Sequence, residues 1–138
     1  MTPEAAREEL SRRADAIEGG YEMMLAYAAQ GLATDQGAAN SNQLRDHLQR
    51  FDAALTGLAA TYRECAAALE VGPQAALEGF LKTLEADAAT TQAALRLVLG
   101  QPGISSQMID NLNASIHVRA LLTDVFIVDE ILKSAKGV

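Results

Sequence analysis

Apolar side chains recur along the first thirty residues at Ala6, Leu10, Ala14, Ile17, Tyr21, Met24 and Ala28. Steps of three and four keep these positions on one face of a helix. The segment opens on Thr2-Pro3-Glu4: a capping residue, a proline suited to the first turn, and an acid at the positive end of the helix dipole. The phase runs unchanged through Gly19-Gly20, inside the stretch EGGYEMMLAYAAQG. That continuity predicts one helix over residues 3–30, with both glycines off the buried seam on its outer and flanking surface. Gly31 marks its end, and LATDQGAANSN, residues 32–42, has the small and polar composition of a loop.

The second apolar series is stricter. Leu44, Leu48, Phe51, Leu55, Leu58, Tyr62, Cys65 and Leu69 follow in 4-3 spacing and predict a helix over 42–70. Gly72-Pro73 ends it and begins a third helix, 73–99, whose seam is Leu77, Leu81, Leu84, Ala88, Thr91, Leu95 and Val98. Gly100-Gln101-Pro102-Gly103 is a break. Ser105 or Ser106 then caps a fourth helix, 106–136. Acid-before-base pairs four residues apart, such as Glu9 with Arg13, Asp46 with Arg50 and Asp129 with Lys133, suit exposed helix faces. No run alternates with period two. The fold expected is therefore all-α: a single domain, residues 1–138, built as an up-down-up-down antiparallel four-helix bundle with long helices. Two helical hairpins exchanged between chains satisfy the same pattern.

The fourth segment departs from the rule of the other three. Before residue 117 its apolar positions, Met108, Ile109, Leu112 and Ile116, share one face. After it, Ala120, Leu121, Val125, Val128, Ile131 and Leu132 lie on a face turned by more than a right angle, with Leu122, Phe126 and Ile127 widening it. Three readings follow. The helix kinks near His117 and buries each face in turn, or it is straight and its surplus apolar surface meets a partner. In the third, it is straight and a polar stripe, Asp110, Asn113, His117 and Asp124, faces inward, where buried polar groups need partners. In such a bundle the start of the fourth helix lies beside the end of the first and the start of the second. The expected ligand-binding candidates at that end are Asp110, Asn113, His117, His47, Tyr27 and Met23. The expected interface candidates are Leu121, Leu122, Val125, Phe126, Val128 and Leu132.

Composition narrows the function classes. With a net charge of −7 and 11 scattered basic residues, the chain lacks the cationic patch a nucleic-acid binder needs. One cysteine, Cys65, forms neither an intramolecular disulfide nor a cysteine zinc site. The charged N-terminal segment has no apolar core of a secretory signal, and no apolar run has the length of a membrane span, so a cytoplasmic protein with no membrane partner is expected. Neither histidine follows a Glu at three residues, as a di-iron helical site requires; no metal or cofactor is expected. His47-Leu-Gln-Arg50-Phe51 lacks the glycine of the H-x-x-K-G pattern of histidine phosphotransfer modules, which leaves that role third. No catalytic motif is present, and a non-enzyme is expected. The leading expectation is a small helical protein-interaction factor, an accessory, adaptor or regulatory protein that pairs with another protein or forms a homodimer. Its alternative is a bundle that binds a small molecule in the polar end pocket.

Overall fold

The computed structural model describes residues 1–136, and all their regular structure is helical. Six helices are present among these residues: α1 (Pro3–Ala28), α2 (Ser41–Leu55), α3 (Leu58–Ala68), α4 (Gln74–Leu99), α5 (Ser106–Ala114) and α6 (Ile116–Lys136). The expected first and third helices are each one element. The expected second and fourth helices are each divided in two, which corrects the four long helices read from the sequence.

α1 starts as its sequence dictates: the Thr2 hydroxyl accepts from the Ala5 N–H at 3.1 Å. It then runs straight through Gly19-Gly20. The glycines, however, do not both face outward. Gly20 is buried, and a Cβ added there would stand 2.6 Å from Cδ2 of Phe51. The absent side chain lets α1 approach α2 closely at this point.

The break between α2 and α3 occurs at Thr56-Gly57, where Gly57 takes a left-handed φ of 70° that costs a residue with a Cβ energy. Leu55 and Leu58 on either side are both buried, so the apolar phase survives the interruption. Carbonyls released at the end of α2 find donors on other helices. Arg13 Nη1 of α1 donates to the oxygens of Ala54 and Thr56 at 2.9 and 2.8 Å, and Gln92 Nε2 of α4 donates to that of Asp52 at 2.9 Å. Such partners are what allow a helix end to lie inside a fold.

α5 and α6 part at Ser115, whose ψ of 143° is extended. Its N–H closes α5 on the Leu112 oxygen and its Oγ accepts from Val118 N–H at 3.2 Å, capping α6. The bend lets α5 bury Ile109 and Leu112 and α6 bury Val118, Leu121, Val125, Val128 and Leu132, whereas Met108, Ile116 and Ile131, expected on these apolar faces, are exposed. Leu121, Leu122, Val125, Val128 and Leu132 are therefore core, not the exposed interface expected of them; of that set Phe126 alone is exposed. Each such burial stabilises by about 1.5–3 kcal/mol, which is why a bend that buries both faces prevails.

Contacts between neighbours run antiparallel. Gly20 meets Phe51 and Ala6 meets Cys65, while Thr91 of α4 donates to the His117 oxygen at 3.1 Å. α1 packs on α2, α3 and α5, whereas α6 packs mainly on α4. No described helix is long and apolar enough to cross a membrane.

Candidate functional site

The end of the molecule that gathers the expected ligand residues is built differently from its expectation. The loop after α1 is tied down by Asp35, which is 1% exposed. Its carboxylate accepts from Arg45 Nε at 2.7 Å, Ser41 Oγ at 2.7 Å and the Ile104 N–H at 2.7 Å. Arg45 turns its remaining donors to the oxygens of Leu99, Gln101 and Pro102. Its guanidinium, before the other donors, holds the Asp35 carboxyl far below the usual carboxylate range. Ser106 pairs with Leu32 through both backbone and side chain. This latch fastens the 29–40 loop to the connection between α4 and α5, and none of its buried side-chain nitrogens and oxygens lacks a partner. Neither Asp35 nor Arg45 stands out in the sequence, because one lies in a loop of turn formers and the other beside the helical seam.

Of the six expected ligand residues, Tyr27 is buried and its hydroxyl donates to the Ile104 oxygen, so it belongs to this latch. Met23 is half-buried against the core. His47 is half-buried, its ring about van der Waals distance from where a Gly19 Cβ would stand. Asp110 and His117 are exposed, and Asn113 is half-buried. With Tyr27 in the core and Asp110 and His117 exposed on either side of the break at Ser115, no two of the six line one of the clefts described. Among the described residues no three His, Cys, Asp or Glu side chains form a group suited to a metal ion. Cys65 is buried, and burial pushes its thiol up to about 11, away from the thiolate needed for nucleophilic attack.

Of the polar stripe, Asp124 is the most deeply buried residue, and Asn113, half-buried, also has a buried Oδ1 without a hydrogen-bond partner. Asp124 is 7% exposed, its Oδ2 has no hydrogen-bond partner, and Asp87 of α4 faces it. Burial first, then the neighbouring Asp87 carboxyl, raises its pKa to about 7.

Two surfaces bear on function. The bend at Ser115 carries α6 away from α1 and leaves a cleft of about 270 Å³ between them. Leu10, Ala14, Leu69 and Leu132 form its apolar wall; Arg7, Ser11, Glu18, Asp129 and Lys133 supply polar groups. The buried Nε of Arg7 has no acceptor. Asp129 Oδ1 accepts from the Tyr62 hydroxyl at 2.9 Å, and burial raises the proton affinity of this carboxyl. In the sequence, Asp129 and Lys133 read only as an exposed helix pair. The second surface is the outer face of α6, where Phe126 is 58%, Ile127 44% and Ile131 47% exposed.

Compared with protein-family models, with curated proteins and with solved structures, the chain matches none.

Proposed function

We propose that this chain is a small helical interaction protein that associates with a second copy of itself through the outer face of α6. On this reading α2–α3 and α5–α6 each serve as one bent rod, so that the six helices act as four arms of an up-and-down antiparallel bundle. The observation that carries the proposal is the arrangement of that face. Phe126 and Ile127 are exposed at its middle beside Thr123, with Arg119 toward one end and Glu130 toward the other. Neither Arg119 nor Glu130 has an ion-pair partner among the described residues. A two-fold interface must be self-complementary. Two α6 helices laid antiparallel bring each Arg119 to the partner copy's opposite end, where Glu130 stands, and place the apolar residues of both copies between the two ion pairs. The pairing removes large apolar side chains from water and gives the charges a register-setting role.

Sedimentation equilibrium tests this directly. Wild type is expected to be a dimer, and Ile127→Asp a monomer with unchanged helical circular dichroism and a melting temperature that no longer depends on concentration. Arg119→Glu weakens association by about tenfold, and adding Glu130→Arg restores it. A wild-type protein that stays monomeric at micromolar concentration sinks the proposal.

A further inference from the structure

We propose that the cleft between α1 and α6 binds a small zwitterion, a molecule with one ammonium and one carboxylate on a short apolar body. The cleft offers charges of both signs, Arg7 and Lys133 against Glu18 and Asp129, and no ion pair within 4.0 Å joins them. Arg7 lines it with a buried Nε that has no acceptor, and no ion pair joins Arg7 to Glu18 or Asp129. Asp129 lines it with a carboxylate held in place by the Tyr62 hydroxyl, and no cation lies within 4.0 Å of it among the described residues. A buried donor without an acceptor and a half-buried carboxylate without a cation each cost stability.

Ligand classes can be separated on these needs. A simple anion gives Arg7 its acceptor but meets the carboxylates of Glu18 and Asp129. A simple cation relieves Asp129 and Glu18 but meets the charges of Arg7 and Lys133 and leaves the Arg7 donor unmet. A zwitterion supplies both, the carboxylate toward Arg7 and the ammonium toward Asp129. Its apolar body lies on Leu10, Ala14, Leu69 and Leu132. A volume of about 270 Å³ falls just under the range that holds drug-sized molecules, which suits a molecule of amino-acid size. The site needs no second copy of the chain and stands whether or not α6 associates.

Isothermal titration of the full chain with three probes tests the inference: L-leucine, isoamylamine, which lacks the carboxylate, and 4-methylvalerate, which lacks the amine. L-leucine is expected to bind at least about tenfold more tightly than either half. Arg7→Met, which keeps an unbranched side chain out to the position of Nε and removes the guanidinium, should abolish that preference over the amine. Asp129→Asn, which keeps an acceptor for Tyr62, should abolish the preference over the carboxylate. Melting curves of both variants establish that they fold. Equal binding of L-leucine and isoamylamine, a wild-type preference untouched by Arg7→Met, or no heat from any probe at about 10 mM overturns the assignment.

Discussion

A Cβ placed on Gly20 would stand 2.6 Å from Cδ2 and 2.9 Å from Cβ of Phe51, whereas one on Gly19 comes no nearer than 3.5 Å to the His47 ring. The two neighbours in sequence therefore carry opposite instructions. Gly20→Ala forces the Phe51 side chain, rooted in α2, to move and is expected to destabilise by about 1–3 kcal/mol. Gly19→Ala meets ordinary contact and gains helix propensity, up to about 1 kcal/mol. Urea denaturation of the two variants distinguishes them, and equal effects would show that α1 does not rely on close approach at Gly20. Periodicity correctly makes this stretch one helix. It does not say which glycine is against α2, because that depends on how closely a neighbouring helix approaches.

The same limit explains the divided elements. The apolar phase continues across Gly19-Gly20, where the helix is unbroken, and equally across Thr56-Gly57, where it is not. Phase records which side faces the core; it does not record whether the backbone hydrogen bonds continue. At Thr56-Gly57 the interruption is sustained by Arg13 and Gln92, residues 36 to 43 positions away in the chain. The turn of the apolar face near His117 was legible, and of its three readings the bend is the one adopted, with the break at Ser115, two residues earlier. Ser115 Oγ caps the N-terminus of α6, so Ser115→Ala is expected to cost about 1 kcal/mol. That change lowers the melting temperature by roughly 2–4 °C for a chain of this size, readable by circular dichroism. An unchanged melting temperature would mean that packing alone holds the bend.

At the scale of the whole molecule, two buried carboxyls set opposing pH dependences. Asp35 is held far below the usual carboxylate range by Arg45, so its contribution is present above the ordinary carboxylate pKa and lost as pH falls through its folded value. Asp124 is raised to about 7 by burial and by Asp87. Between its ordinary value of 3.8 and about 7 the unfolded chain gives up this proton while the folded chain keeps it, so its contribution falls as pH rises through that window. Asp129, also raised, acts in the same direction. Stability is therefore expected to be greater near pH 5 than at pH 8. Asp124→Asn, whose amide can donate to Asp87, should add about 1–3 kcal/mol at pH 8 and flatten the decline. Urea midpoints across this range check it; a wild type equally stable at both values contradicts it. The sequence by itself determined the helical class, the core-facing side of α1 to α4 and a turn of the apolar face near His117, because these follow from side-chain periodicity. Tertiary structure alone decided that α2 and α3 are separate, that Asp35 and Arg45 form a latch, and that Leu121 and Val125 are core while Phe126 and Ile127 are surface. It also decided that Arg7 and Asp129 share a cleft. These outcomes depend on which distant groups come within hydrogen-bond or contact distance, and local spacing carries no information about that.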